Sequence, residues 1–144
     1  MATMRSSIEI VSEVSELEKV FAFVDQYCSR CAIPDPIKYK VLLVAEELTM
    51  NTMSHGYRGR LDGRIGITLS HTPGEIELRF EDQAPAFDPL RQAPDPDVGA
   101  GLAERQVGGL GIHLLKTLSR SADYVRVDDR NIVRVSFADA ATAD

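Results

Sequence analysis

The chain has few features that would assign it to a membrane or to a nucleic acid. No apolar run approaches the length of a membrane span, and the start, MATMRSSIEIV, has no apolar core followed by a small-residue cleavage site. The net charge is −6, a balance that argues against a nucleic-acid-binding surface. We therefore expect a cytoplasmic protein with no membrane partner and no direct nucleic-acid partner.

Cysteine is also scarce. The two that are present, Cys28 and Cys31, have the C-x-x-C spacing of redox and zinc sites. No second pair accompanies them, no histidine lies nearby in the sequence, and both fall within a helical apolar pattern that begins at Leu17. We interpret them as cysteines that pack within a helix, because free cysteines are commonly buried.

Common catalytic motifs are absent as well. No G-K-[ST] follows the glycines at 108–111, which excludes a Walker A loop, and no strand directly precedes them, which excludes a dinucleotide-binding fingerprint. There is no G-x-S-x-G motif. No pair among His55, His71 and His113 has metal-ligand spacing, and we assign no catalytic role to them.

The patterns that are present predict one domain of alternating helices and strands. The chain has 144 residues, a usual length for one domain. Strands are predicted at 5–11, 65–69, 76–80, 124–127 and 132–137, and helices at 15–32, at 35–55 and after residue 111. This order predicts a two-layer α/β sandwich. We expect the domain to cover residues 1–138 and residues 139–144 to form a disordered tail.

The second predicted helix carries a polar pair on an apolar background. Glu47 and Asn51 are four residues apart and so share one face of the helix. Asparagine offers a neutral oxygen ligand suited to Mg²⁺, and glutamate can accept a proton. The alternative is that both are solvated helix residues. The helix is predicted to end near His55, with Gly56 as its left-handed C-terminal residue.

Asp82 lies at the end of the second hairpin strand, just after the pattern at 76–80, where its carboxylate is placed to accept a hydrogen bond from an exocyclic amine such as that of adenine. A strand-ending aspartate in a turn is the alternative. Gly108, Gly109 and Gly111 stand at the start of a helix, where free N–H groups and the helix dipole favour phosphate. A glycine-rich helix start without a ligand is the alternative there.

Residues 82–107 separate these two candidates and are rich in proline and aspartate. A loop of this length inside one domain is usually functional or disordered. We interpret it as a lid over a ligand, with an insertion of no function as the alternative.

In this order, the segments resemble those of the GHKL ATPase superfamily and, within it, the anti-sigma factor serine/threonine kinases of bacterial partner-switching systems. The segment ELTMN at 47–51, extended by SHGY at 54–57, resembles the N-box of that family. The segment DQAPAFDP at 82–89 resembles its first glycine box, and GGLGI at 108–112 resembles its second. The segment DRNIVR at 129–134 resembles its closing strand.

The resemblance implies a Bergerat-type α/β sandwich with a mixed sheet, helices on one face and a long ATP lid. It implies ATP and Mg²⁺ as cofactors, with Asn51 holding the metal, Glu47 acting as the base and Asp82 binding the adenine amine. The implied nucleotide-binding set is completed by Ala84, Gly108, Gly109, Leu110 and Gly111.

The function implied by the resemblance is phosphorylation of a STAS-domain anti-sigma antagonist on serine or threonine, together with sequestration of a sigma factor or an equivalent regulator. Members commonly form homodimers. Two alternatives remain. One is a sequestering module without kinase activity, with or without bound ATP, and the other is a histidine-kinase catalytic domain that acts in trans.

One position departs from the pattern of the family. Its Asp-x-Gly becomes Asp82-Gln83-Ala84 in this chain. Glycine at that place lets the backbone approach the adenine, whereas alanine adds a methyl group and disfavours positive φ. We expect the change to be tolerated, at some cost in nucleotide affinity.

Overall fold

One layer of the fold is a five-stranded sheet. The computed structural model describes residues 4–92 and 115–139. The strands are β1 Met4–Val11, β2 Arg64–Thr72, β3 Glu75–Asp82, β4 Ser121–Val127 and β5 Arg130–Ala138. Neighbouring strands follow the order β1-β2-β3-β5-β4. All five were predicted from the sequence, and the α/β fold class is confirmed.

The prediction of a mixed sheet is wrong. Every strand pair in the described part of the chain is antiparallel. Between β1 and β2 the chain passes through two successive helices, which return it to the end of the sheet where β1 finished, so β2 runs back beside β1. The pairs β2–β3 and β4–β5 are hairpins. In the second hairpin, Asp128 and Asp129 both have positive φ, as a two-residue turn between twisted strands requires.

The second layer consists of helices that cover one face of the sheet. They are α1 Leu17–Arg30, α2 Asp35–Asn51 and the single-turn α3 Pro89–Gln92, with a further helical turn at residues 115–118. Alternate residues of β2 and β3 point inward and are buried against α1 and α2. This alternation is the period of two that the sequence shows, and it places the core between the two layers. No helix within the described residues is long and apolar enough to cross a bilayer.

The cysteine pair belongs to this core. Cys28 is buried in α1, Cys31 follows the helix, and both thiols are free. Burial, with a smaller contribution from Cys31, raises the pKa of the Cys28 thiol to about 11. The thiol is therefore protonated at neutral pH, as expected for a packing residue.

At the other end of the chain, Asp139 is held by the sheet, although the sequence assigns it to the tail. Its N–H donates to Gly74 O at 3.1 Å, and its carboxylate contacts His71. Residues 140–144, most of the predicted lid, and the predicted phosphate-binding residues Gly108, Gly109, Leu110 and Gly111 lie outside the described residues.

Candidate functional site

The helix α2 presents Glu47 and Asn51 on one face, as predicted. Asn51 is 1% exposed and Glu47 is half-buried. The amide Nδ2 of Asn51 donates a hydrogen bond to Glu47 Oε2 at 3.0 Å. Asn51 is therefore not a solvated helix residue, and its amide is oriented by the carboxylate one turn earlier.

The other end of the Asn51 amide is not held by any described residue. Its Oδ1 is buried and accepts no hydrogen bond from residues 4–92 or 115–139. A buried acceptor in this state costs free energy, which a ligand that bonds to the oxygen would recover. No cluster of three or more His, Cys, Asp or Glu side chains that could hold a metal occurs in the part of the chain described. A cation at Asn51 would take its remaining ligands from water and a bound anion, as Mg²⁺ commonly does.

The protonation of Glu47 follows from its surroundings. Burial raises the pKa of this carboxyl, the hydrogen bond from Asn51 opposes that shift, and the neighbouring charge of Glu46 adds to it. A raised pKa brings the carboxylate closer to the range in which it exchanges a proton effectively near neutral pH. Glu47 is thus suited to act as a general base.

The chain changes its winding directly after Asn51. Residues Thr52–Gly56 form a π-helical turn, which Tyr57 N closes by donating to Thr52 O at 2.8 Å. The prediction of a left-handed Gly56 is wrong, because after α2 positive φ begins only at Arg58 and Gly59. Gly56 is small for another reason: a Cβ atom there would lie 3.4 Å from the Cβ of Ala84. Single π turns inside helices are often found at functional sites.

Asp82 ends β3 and lies opposite Asn131 in the ladder between β3 and β5. Its Oδ1 accepts hydrogen bonds from Asn131 Nδ2 at 2.8 Å and from Ala84 N at 2.9 Å. No described residue donates to Oδ2. Burial raises the pKa of Asp82, while these two hydrogen bonds and the charge of Arg126 act against the rise. The carboxylate therefore has one oxygen fixed by the protein and the other available to an amino group.

Contacts between side chains and backbone join the segment after Asn51 to the segment after Asp82. The Tyr57 hydroxyl donates to Arg64 O at 2.6 Å and accepts from Gln83 N at 2.9 Å. The ring of His55 stacks on that of Phe87, with centroids 5.8 Å apart. The structure thus brings the predicted N-box and the predicted first glycine box into one site.

Asn131 is the residue of this site that the sequence analysis missed. Besides Asp82, its Nδ2 donates to Ala84 O at 3.2 Å and Pro85 O at 3.1 Å. Its Oδ1 accepts from Phe87 N at 3.2 Å, and also from Tyr124 Oη at 2.6 Å and Arg126 Nη1 at 3.1 Å. One buried amide thus holds residues 84–87 of the loop after β3. The available signal was a polar residue on the inward-facing register of a strand whose other inward residues are apolar.

The chain matches a known protein family over most of its length. Residues 10–137 match the family model described as the histidine kinase-like ATPase domain. The chain belongs to this family. The resemblance to GHKL ATPases seen in the sequence is thereby confirmed, and Asn51 and Asp82 both lie within the matched range.

Curated relatives within this family are named as protein kinases. The chain is 30% identical over 95 residues to the serine/threonine-protein kinase BtrW of Bordetella bronchiseptica, a match that covers 66% of this chain and 66% of BtrW. It is 32% identical over 80 residues to the serine-protein kinase RsbW of Listeria monocytogenes. That match covers 54% of this chain and 50% of RsbW. The matches therefore span between half and two thirds of these relatives.

A solved structure shares the fold. The structure of the RsbU and RsbW domains of Rv1364c from Mycobacterium tuberculosis matches with a TM-score of 0.64 over 94% of this chain and 32% of that one. The sequence identity is 12%, so the match shows that the architecture of this ATPase domain is common to both.

In the resemblance drawn from the sequence, Ala84 replaces a glycine, and the structure shows how alanine fits. Its φ is not positive, so it carries none of the strain that the sequence suggested. Its methyl group is buried in the space left by Gly56, its N–H donates to Asp82, and its carbonyl accepts from Arg126 Nη1 at 2.8 Å. Side-chain hydrogen bonds therefore hold this loop in place.

Replacing Asn131 by alanine is expected to loosen this loop. The change removes the partner of Asp82 Oδ1 and leaves several buried groups unpaired, so we expect the free energy of unfolding to fall by about 2–4 kcal/mol. Urea denaturation measures this loss. Tyr124→Phe is the matched control, since it removes one hydrogen bond to the same amide and should cost about 1 kcal/mol. A loss in Asn131→Ala no larger than in the control would show that the amide does not hold the loop.

Proposed function

We propose that this chain is an ATP-dependent protein serine/threonine kinase and a switch protein of a bacterial partner-switching system, acting in the cytoplasm. The observation that carries the proposal is the buried, unpartnered Oδ1 of Asn51 next to Glu47, within a histidine kinase-like ATPase domain. The relatives BtrW and RsbW, which are named as kinases, support the same activity.

Each described residue of the site has a role in this proposal. Asn51 Oδ1 would hold Mg²⁺, and Asp82 Oδ2 would accept a hydrogen bond from the adenine amine. Bound Mg²⁺ supplies neutralising charge to the phosphates of ATP. Ala84 and the loop beside it would line the adenine side. We assign the phosphate contacts to Gly108, Gly109, Leu110 and Gly111, with the segment before them as the lid.

Glu47 acts on the protein substrate. Its Oε2 is held by Asn51, which leaves Oε1 to accept the proton of a serine or threonine hydroxyl as the hydroxyl oxygen bonds to the terminal phosphorus of ATP and ADP departs. Because the helix holds base and metal ligand one turn apart, the two are positioned before the substrate arrives. Positioning and charge neutralisation account for most of the catalysis of phosphoryl transfer.

The proposed substrate is a STAS-domain anti-sigma antagonist, and the proposed second partner is a sigma factor or an equivalent regulator, which the chain would sequester. We further propose that the chain forms a homodimer. Partner-switching kinases have these partners. The segments of this chain at 47–57 and 82–89 resemble segments of those kinases.

A phosphate-transfer experiment tests the proposal. The purified chain is incubated with [γ-³²P]ATP, Mg²⁺ and each STAS-domain protein of the same genome, and labelled protein is analysed for phosphoamino acids. We expect acid-stable phosphoserine or phosphothreonine on one of them. A tight complex without label would instead establish a sequestering module, and acid-labile label would establish a histidine kinase acting in trans. Either result contradicts the proposed kinase.

A further inference from the structure

Three polar side chains form a row across the sheet, on the adenine side of the proposed nucleotide site. Asp82 lies opposite Asn131 in the ladder between β3 and β5, and Asn131 lies opposite Arg126 in the ladder between β5 and β4. The next row on the same face includes Phe80 and Val133, which are buried in the core. The inner face of the sheet thus ends in a row of one acidic, one neutral and one basic side chain.

The amide of Asn131 can take only one orientation in this row. Its Oδ1 accepts hydrogen bonds from Phe87 N at 3.2 Å, Tyr124 Oη at 2.6 Å and Arg126 Nη1 at 3.1 Å. A flipped amide would place its own NH2 group against Phe87 N and Arg126 Nη1, which can only donate. The Nδ2 group of Asn131 is therefore held toward Asp82 Oδ1, 2.8 Å away.

Arg126 brings a positive charge to the far end of this chain of hydrogen bonds. Its side chain is 31% exposed, and its Nη1 also donates to Ala84 O at 2.8 Å. Its Nη2 lies 3.9 Å from Asp129, whose carboxylate is fully exposed and therefore competes only weakly for the charge. Hydrogen bonds in a chain polarise one another, so the guanidinium strengthens the bond that Asn131 donates to Asp82.

The charge of Asp82 decides which purine its free oxygen can bind. Because Oδ1 already accepts from Asn131 and from Ala84 N, a proton on this carboxyl would lie on Oδ2. An ionised Oδ2 can only accept and suits the exocyclic amino group of adenine, whereas a protonated Oδ2 can donate and suits the carbonyl oxygen of guanine. A site that keeps this carboxyl ionised therefore discriminates against guanine.

The surroundings of Asp82 act on its charge in both directions. Burial raises the pKa of Asp82, whereas hydrogen bonds from Asn131 and Ala84 N and the charge of Arg126 lower it. The neighbouring carboxylate of Glu81 raises it. Among the described residues that act on this carboxyl, Arg126 is the one positive charge.

Two tyrosines also face Asp82 from neighbouring elements. Tyr57 follows the π-helical turn, and Tyr124 lies on β4. Burial raises the pKa of each hydroxyl, and the charge of Asp82 contributes further to the rise. Both hydroxyls are therefore neutral near neutral pH and do not replace the charge of Arg126.

We propose that Arg126 is a positioning residue that makes the site select ATP over GTP, because it holds Asp82 in its ionised form through Asn131. The inference rests on the nucleotide site proposed above and adds the residue that controls its choice of base. If Arg126 only held the loop through Ala84 O, its loss would weaken ATP and GTP alike. The ratio of the two affinities therefore separates the two roles.

The test is the ratio of the dissociation constants of GTP and ATP, measured by calorimetry with Mg²⁺ as the pH is lowered from neutral. The two nucleotides carry the same phosphates, so protonation of the phosphates cancels in the ratio. In the wild type, the ratio should fall as Asp82 takes up a proton. In Arg126→Met the fall should begin at higher pH, so that on this part of the curve the ratio is about 10-fold smaller than in the wild type. Arg126→Lys keeps the charge and should recover most of the difference.

Arg134→Met is the matched control, because it removes the same charge from the same hairpin. Arg134 is exposed and lies on the outer face of β5, opposite Arg79 and Asp123. Its curve should coincide with that of the wild type, and circular dichroism at each pH checks that every variant is folded. A curve for Arg126→Met that coincides with the wild type, an equal displacement in the control, or a ratio that does not change with pH in any variant would overturn the role of Arg126.

The titration of Asp82 in the free protein provides a test without nucleotide. Carboxyl-carbon NMR, with Asp82→Asn for assignment, should show that this carboxyl titrates at higher pH in Arg126→Met than in the wild type. A wild type that binds neither nucleotide would overturn the proposed nucleotide site, and the selection of ATP with it. Equal titration of Asp82 in wild type and Arg126→Met, in a protein that selects ATP, would overturn the role of Arg126 alone.

Discussion

Replacing Asn51 by alanine is expected to abolish the Mg²⁺-dependent part of ATP binding. The buried Oδ1 has no partner in the described part of the protein, so its contribution is made to the ligand. We expect the affinity for ATP in the presence of Mg²⁺ to fall on the order of 100-fold, about 2.7 kcal/mol. The affinity without Mg²⁺ should change little. Isothermal titration calorimetry with and without the metal measures both quantities.

A second asparagine of the site provides the control for this experiment. Asn131 supports Asp82 on the adenine side, so Asn131→Ala should weaken ATP binding equally with and without Mg²⁺. Only Asn51→Ala should remove the response to the metal. If Asn51→Ala binds ATP more tightly with Mg²⁺ than without it, by the same factor as the wild type, then Asn51 is not the metal ligand.

Replacing Glu47 by glutamine is expected to stop phosphate transfer while leaving ATP bound. Glutamine has a similar shape but cannot accept the hydroxyl proton, and loss of a general base typically costs about 10²–10⁴-fold in rate. Single-turnover transfer to the STAS-domain substrate measures this rate, and calorimetry measures ATP affinity on the same sample. Transfer within threefold of the wild type, roughly RT in free energy, would exclude Glu47 as the base.

The pH dependence of phosphate transfer by the wild type provides an independent test of Glu47 as the base. Because burial raises the pKa of Glu47, the base becomes protonated at a higher pH than an ordinary glutamate would. As the pH falls, the rate of transfer should therefore decline before the pH reaches the usual pKa of 4.5.

The same shift makes a prediction for stability. A group whose pKa is raised in the folded state costs stability above that pKa, where it must be charged, and costs none below the unfolded pKa, where both states hold the proton. Glu47→Gln should therefore be more stable than the wild type at neutral pH, and the difference should disappear as the pH falls below 4.5. A loss of transfer in this variant could then not be attributed to unfolding.

Features of the site that depend on local spacing could be predicted from the sequence. Glu47 and Asn51 meet because helix geometry places residues four apart side by side, and the structure joins them by one hydrogen bond. Asp82 falls at a strand end because the period-two pattern stops there. These predictions need only neighbouring residues, and for that reason a single sequence suffices.

Features of the site that depend on long-range strand pairing could not be predicted from the sequence. Asn131 holds Asp82 only because β5 lies beside β3 in a register that places these two residues opposite each other, and no local pattern encodes that register. Gly56 and Ala84 share one small space for the same reason. The mixed sheet came from the family resemblance, and the sequence could not correct it, because strand direction depends on how α1 and α2 return the chain, which hydrophobic periodicity does not reveal.

The phosphate-binding role of Gly108–Gly111 and the lid before them remain predictions, since these residues lie outside the described part of the chain. Protection of this segment from proteolysis by bound ATP would link it to the nucleotide site. Limited proteolysis within residues 93–114 should slow when ATP and Mg²⁺ are bound, because a lid that closes on the ligand shields its own backbone.

The most direct test of the nucleotide site is a calorimetric titration into the wild-type protein, with ATP and GTP compared in the presence and absence of Mg²⁺. We predict that ATP binds, that Mg²⁺ strengthens binding through Asn51, and that GTP binds much more weakly, because it has a carbonyl oxygen where Asp82 Oδ2 would meet the amine of adenine. A folded wild type that binds neither nucleotide, or binds both equally, would contradict the site proposed at Asn51 and Asp82.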